Sequence, residues 1–203
     1  MELTEPGSLL RKEDSGERHF LLVFFLKESG LTYILARRPT KASAGDILPD
    51  LFDTGIVSLQ RKDAAKPSFL KEFEPLVRHT GIARSYACLK AAASLSQFFE
   101  RNLLHMETFD RAWEVLAQSL DALSCKPRPE VVVFKALFLI ARSEGYAVSS
   151  SWLNHLPTEI RPAVQQALKS PLEDIEDSPA MVEDWTRQLY RFFERDTDLL
   201  PPD

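Results

Sequence analysis

The stretch RHFLLVFFLKESGLTYILARR, residues 18–38, decides the fold of the first part of the chain. Its first nine residues form a nearly continuous apolar run, which predicts a strand with little solvent on either face. KESG (27–30) is a hairpin signal, and LTYILARR (31–38) predicts the returning strand. The stretch is therefore a β-hairpin that ends in two consecutive arginines.

Three more segments around this hairpin have the composition of short strands. They are SLLRK (8–12), GIVSLQRK (55–62) and SFLKEFE (68–74), and turn-forming residues separate them. Five short strands in about 75 residues are enough to close a small barrel and too few for a sandwich. The sequence therefore predicts a five-stranded β-barrel in residues 1–78.

From about residue 80 the apolar period changes from two to about three and a half, which is typical of amphipathic helices. PEVVVFKALFLIAR (129–142) is apolar nearly all round and is expected at the centre of a helical bundle. Thr158 and Ser178 are the predicted N-caps of two later helices, and Met181 is expected to face the core. The closing LLPPD is expected to fray. The predicted fold class is α+β, with a C-terminal α-helical bundle in residues 79–203.

Charge is unevenly distributed along the chain. The net charge is −5, yet residues 1–80 hold 12 basic and 12 acidic side chains, whereas residues 81–203 hold 13 and 18. Residues 27–71 alone hold 8 basic and 5 acidic side chains. The net charge argues weakly against nucleic acid, but the first half is locally positive and the second half acidic.

Cysteine usage and hydropathy favour a cytoplasmic protein. Cys88 and Cys125 are isolated, which argues against a disulfide framework. The longest uncharged apolar run, FLLVFFL (20–26), is too short to cross a bilayer. The opening MELTEPGSLL lacks the basic-then-apolar order of a signal peptide.

No catalytic or metal-binding constellation stands out. The histidines are scattered. His105 with Asp110, or His155 with Glu159, could meet on a helix, but polar side chains that face solvent explain both pairs more simply. There is no Cys-x-x-Cys pair and no glycine-rich phosphate loop. We therefore expect no enzymatic activity, no metal and no cofactor.

Several local motifs, taken in order, resemble the RecO family of bacterial recombinational-repair mediators. Residues 15–43 are similar to the family's opening, with Gly16-Glu17, Gly30 and the basic loop that begins at Arg37-Arg38-Pro39 and contains Lys41 and Ser43. Residues 73–104 are similar to its junction into the first long helix. FKALFLIARSEGYAV (134–148) is similar to its core helix with the Gly-Tyr exit, and ALKSPLEDI (167–175) to its later helices.

The resemblance implies an N-terminal OB-fold, a helical C-terminal domain and no enzymatic reaction. It implies binding of single- and double-stranded DNA, strand annealing, and help in loading recombinase. The implied partners are RecR and the acidic C-terminal tail of the single-strand DNA-binding protein, with nucleoid association when DNA is bound. Many members carry a four-cysteine zinc module where this chain has SSSWLNHLP (149–157), so the resemblance is to members without the metal.

Basic residues at strand ends are the candidate DNA contacts. An OB barrel binds a strand with cations along the phosphates and aromatic rings under the bases. The candidate cations are Arg37, Arg38, Lys41, Arg61, Lys62 and Lys66. Tyr33 and Phe69 are candidate stacking rings, although a ring in a small barrel more often points into the core.

A partner site is predicted on the central helix. An acidic peptide that ends in an aromatic residue needs a cation beside an apolar pocket. Residues of both kinds occur together at Arg128, Phe134, Lys135, Leu137, Phe138 and Arg142. A buried helix with cations at its edge explains the same residues. The stretch LEDIEDSPAMVED (172–184), with six acids and no base, is expected to be a solvated face. The alternative is that it repels DNA from the bundle and confines contact to the barrel.

Two other classes of function stay open. The first is a protein–protein adaptor that keeps the same body but has little affinity for DNA. The second is an enzyme acting on nucleic acid, for which Asp46, Asp50 and Asp53 come nearest to a carboxylate cluster. Their proline- and glycine-containing context reads as a loop.

Overall fold

The computed structural model describes residues 2–39, 48–60, 68–106 and 108–202. The strands are β1 Glu2–Ser15, β2 His19–Leu26, β3 Gly30–Arg37, β4 Thr54–Gln60 and β5 Ser68–Val77. They form a closed barrel in the order β1-β2-β3-β5-β4, in which β3 and β5 are the parallel neighbours. This OB-like barrel confirms the predicted N-terminal fold.

Strand β1 is 14 residues long, much longer than the five predicted, because it pairs on both sides. Residues 2–8 pair with β4, and residues 7–15 pair with β2. A bulge between Leu9 and Arg11 bends the strand, as bulges do where a sheet closes on itself. One strand therefore closes the barrel.

Glu5 on β1 fixes the hairpin between β2 and β3. Its carboxylate is buried and accepts hydrogen bonds from the backbone N–H groups of Glu28 (2.7 Å) and Ser29 (3.1 Å), and from the Ser29 hydroxyl. A buried carboxylate with this many donors is satisfied. It holds the turn in place and thereby helps to set the hairpin register.

The chain folds as two compact units. Unit 1 comprises Met1–His79 and Leu103–Trp113, and unit 2 comprises Thr80–Asn102 and Glu114–Asp203. The segment Leu103–Trp113, here called the covering segment, lies on the outside of the barrel. Phe25 packs edge-to-face against Phe109 and Trp113, with ring centroids 6.1 and 5.5 Å away.

The helices are α1 Tyr86–Asn102, α2 Asp110–Cys125, α3 Pro129–Ser143, α4 Arg161–Lys169 and α5 Pro179–Asp196. Within unit 2, α3 packs against α1 and α5, and nine of its side chains are buried. Phe134 lies 5.8 Å from Trp185 and 6.1 Å from Trp152, measured between ring centroids. The central position predicted for this helix is confirmed.

Some helix details differ from the prediction. Ser178 is the N-cap of α5, as predicted, and its hydroxyl accepts from the N–H of Met181 at 3.4 Å. Thr158 is not a cap: residues 157–160 form a separate turn, and α4 begins at Arg161 after Ile160. Met181 is 42% exposed, and Val182 is buried in its place.

The closing residues do not fray at Leu199 and Leu200. Leu199 is buried, and the side-chain amide of Asn102 pairs with the backbone of Leu200. Asn102 Nδ2 donates to the Leu200 carbonyl at 2.9 Å, and its Oδ1 accepts from the Leu200 N–H at 2.8 Å. The same Nδ2 also donates to the Phe98 carbonyl at 2.7 Å.

Within the described part of the chain, no helix is long and apolar enough to cross a bilayer. Both cysteines are free thiols; Cys88 is buried and Cys125 is exposed.

Gly30 and Gly16 give a matched test of the covering segment. Both have positive φ, at 69° and 66°, but a Cβ on Gly30 would lie 2.5 Å from the Phe109 ring, whereas Gly16 has open space. Gly16→Ala should cost about 1–2 kcal/mol of unfolding free energy, from backbone strain alone. Gly30→Ala should cost about 1–3 kcal/mol more because the ring must move. Equal losses in urea denaturation would show that Phe109 does not pack on the hairpin.

Asn102→Ala tests the contribution of the paired hydrogen bonds between the Asn102 side chain and the Leu200 backbone, here called the C-terminal clamp. It leaves the backbone of Leu200 without its partner in a partly buried place, which should lower the unfolding free energy by about 1–2 kcal/mol. It should also open the C-terminus to carboxypeptidase. Asn154→Ala, at an exposed position, is the control and should stay within about 0.5 kcal/mol of wild type. Wild-type stability and protease resistance in Asn102→Ala would contradict the clamp.

Candidate nucleic-acid interface

One part of the barrel exterior is not occupied by the covering segment. Side chains alternate along a strand, so the residues between the core positions of β2 and β3 point outward. His19 lies opposite Arg37, Leu21 lies opposite Leu35, and Phe69 of β5 lies beside Leu35. We call this patch the outer face, and it consists of His19, Leu21, Tyr33, Leu35, Arg37 and Phe69.

Aromatic rings are available on the outer face. Tyr33 is 46% exposed, and its neighbours Ile34 and Ala36 point into the barrel core. Phe69 is half-buried and packs edge-to-face with His19, with a centroid distance of 6.0 Å. Both predicted stacking rings therefore lie outside the core.

Arg37 supplies a cation at the end of this patch. Its side chain is exposed, and no ion pair joins it to an acidic residue within the described ranges. Arg18, in the turn between β1 and β2, is also exposed, and its carbonyl accepts from the N–H of Arg38 at 2.9 Å. Arg18 was not predicted; the signal for it is its position next to His19, the partner of Arg37.

Arg38 faces the other way and is already engaged. It pairs with Asp14, and its guanidinium lies over the Phe20 ring, 4.4 Å from the centroid. Lys12 Nζ lies 5.1 Å from the centroid of the same ring and donates to the Pro49 carbonyl at 3.0 Å. Phe20 packs against the barrel core, so Arg38 and Lys12 close one end of the barrel. The structure does not bring Arg37 and Arg38 together.

The other predicted cations, Lys41, Arg61, Lys62 and Lys66, lie outside the described residues. The described residues on either side of 61–67 adjoin the outer face: Gln60 lies opposite Phe69, and Ser68 lies opposite Ile34.

The apolar residues of the predicted pocket for an acidic peptide are not accessible at the protein surface. Phe134 and Leu137 are fully buried and Phe138 is 5% exposed, because α3 is the core helix of unit 2. Arg142, in the last turn of the same helix, is exposed. A peptide therefore cannot reach the three apolar side chains while the unit is folded.

The two other predicted cations, Arg128 and Lys135, donate hydrogen bonds to backbone carbonyl groups. Arg128 bonds to the Glu130 carboxylate (2.6 Å), and its guanidinium also donates to the carbonyls of Ile175 and Asp177. Lys135 donates to the Ser170 carbonyl, and burial lowers the pKa of its ammonium group. Both cations fix the loop between α4 and α5.

Two of the three aspartates considered as a carboxylate cluster, Asp50 and Asp53, stabilise a turn. Asp53 is buried, and its Oδ2 accepts from the N–H of Asp50 at 3.0 Å. Asp50 Oδ1 accepts from the N–H of Leu51 at 2.9 Å, and Asp46 lies outside the described residues. Within the described ranges, no three His, Cys, Asp or Glu side chains come together as metal ligands.

No protein-family model matches the sequence, and no curated protein is significantly similar to it. The likeness to the RecO family is carried by the order of the motifs in the sequence.

The different roles of the two arginines can be tested by stability. Arg38→Ala removes a cation–ring contact and an ion pair, which together should lower the unfolding free energy by about 1 kcal/mol. Arg37→Ala should change it by less than about 0.5 kcal/mol because the side chain is exposed. Urea denaturation of the two variants gives the comparison, and a larger loss in Arg37→Ala would reverse the assignment.

Proposed function

We propose that this protein binds single-stranded nucleic acid on the outer face of its barrel, as a non-enzymatic DNA-repair mediator of the RecO type. The observation that carries the proposal is an exposed Tyr33 in an apolar patch that ends in Arg37, an exposed cation with no ion-pair partner among the described residues. OB-folds bind oligonucleotides on the face formed by their second and third strands. All residues of the outer face except Phe69 lie on those strands.

Stacking supplies most of the expected affinity. A base stacked on an aromatic side chain contributes about 1–3 kcal/mol, and every base has a face to stack. Tyr33 and Arg37 are four residues apart on one strand, about 13 Å. A ring and a cation at this separation can contact neighbouring nucleotides of the same strand. Duplex DNA keeps its bases stacked on one another, so it should bind less well.

The roles in annealing and recombinase loading, and the partners RecR and the single-strand DNA-binding protein, are supported by the motif resemblance alone. The same holds for binding of double-stranded DNA. With Arg38 engaged in the barrel, the exposed cations described at this site are Arg37 and Arg18. That small number favours weak, salt-sensitive contact with phosphates.

The alternative function is a protein–protein adaptor with the same barrel. The engagement of Arg38 by Asp14 is the observation that favours it, because it removes a cation on which the DNA-binding prediction relied.

Fluorescence anisotropy of a labelled oligo-dT strand separates the two functions. Tyr33→Ala should weaken binding by about 5- to 150-fold, because it removes one stacking ring. Arg37→Ala should reduce the slope of log affinity against log salt by about 0.7, the value for one phosphate contact on a single strand.

Two exposed residues of unit 2, Tyr86 and Arg84, provide the controls. Tyr86→Ala and Arg84→Ala should leave affinity and salt slope unchanged. Absence of binding by the wild-type protein at low salt would favour the adaptor. Equal losses in Tyr33→Ala and Tyr86→Ala would show that binding does not occur on the outer face.

A further inference from the structure

Unit 2 contains an open groove of about 490 Å³ between α4, the following loop and the start of α5. Its base is apolar, formed by Ala163, Ala167 and Ile175. Met181, at 42% exposure, stands at its edge. Small side chains on α4 leave room here for an aliphatic side chain from outside.

The rim of this groove is negatively charged. Asp174, Glu176 and Asp177 line it, and no cation pairs with their carboxylates within the described residues. The neighbouring Glu173 differs, because Lys126 pairs with it and lowers the pKa of its carboxyl group. The groove therefore combines an apolar base with three uncompensated acidic side chains.

Two cations that contact this loop, Arg128 and Lys135, bind its backbone carbonyls and do not pair with those three carboxylates. Arg128 donates to the carbonyls of Ile175 and Asp177, and Lys135 donates to that of Ser170. Arg128 itself has a left-handed backbone with φ of 75°, which a non-glycine residue adopts at a cost. The backbone of the loop is thus held by Arg128 and Lys135, and the three acidic side chains can contact a partner protein.

We propose that this groove docks a basic segment of a partner protein, with an aliphatic side chain in the groove and lysine or arginine side chains on the rim. Charge complementarity selects this occupant, because any segment that covers the groove removes water from the three carboxylates and a basic segment supplies cations to pair with them. An acidic peptide is excluded by the same carboxylates. The proposal does not depend on nucleic-acid binding by the barrel.

A short fluorescein-labelled peptide of alternating leucine and lysine is the probe, and anisotropy with the full chain is the measurement. The triple variant Asp174→Asn, Glu176→Gln, Asp177→Asn should bind it about tenfold more weakly. Ala163→Phe, which fills the groove without changing the charge, should weaken binding comparably. The leucine–glutamate peptide should not bind. Circular dichroism and thermal unfolding confirm that each variant is folded.

A second triple variant controls for overall charge. Glu159→Gln, Glu194→Gln and Asp198→Asn change the charge equally at exposed positions outside the groove, and they should leave the affinity unchanged. An equal loss in this control, or no binding by the wild-type chain at low salt, would overturn the proposal. So would self-association of the wild type that the first triple variant abolishes, since a second copy would then occupy the groove.

Discussion

The barrel depends on one strand that pairs on both edges at once. Gly7 of β1 lies opposite Leu26 on one side and Gly55 on the other. A Cβ at Gly7 would lie 2.5 Å from the Leu26 side chain and 2.9 Å from that of Val57, so a larger residue where the strand turns from one neighbour to the other would force these core side chains to shift. With the barrel closed, each residue of β2 and β3 has a fixed direction, inward or outward.

That fixed direction explains why two adjacent arginines have different roles. A strand repeats every two residues, so neighbours in sequence cannot share a face. Arg37 follows Tyr33 and Leu35 to the outside, whereas Arg38 follows Ala36 toward the barrel end and lies over Phe20. Charge counted along the sequence therefore overstates the charge available at a surface. Any phosphate binding by the outer face would depend on the cations that have no partner within the protein.

The strong periodic signals predicted the hairpin, the barrel and the core helix, because burial imposes those periods directly. The register of the hairpin can also be predicted from the sequence, because a turn at Lys27–Ser29 places His19 opposite Arg37. The prediction of the site nevertheless omitted His19. What the sequence could not supply was the distinction between apolar residues that face a core and those that line a pocket. Phe134 and Phe138 are residues of the type that lines a peptide-binding pocket, and only the packing of α3 shows that they are buried.

The acidic character of unit 2 has a structural origin that bears on ligand choice. Arg128 and Lys135 donate to backbone carbonyls of the loop between α4 and α5, and within the described residues no cation pairs with Asp174, Glu176 or Asp177 of that loop. A polyanion is attracted to the exposed arginines of the outer face and repelled by this loop. Among the described residues at the outer face, the exposed cations are Arg37 and Arg18, and two phosphate contacts alone do not provide high affinity. A strand with unstacked bases would gain more from Tyr33 and Phe69 than a duplex would, and single strands are therefore the nucleic-acid ligand that we propose.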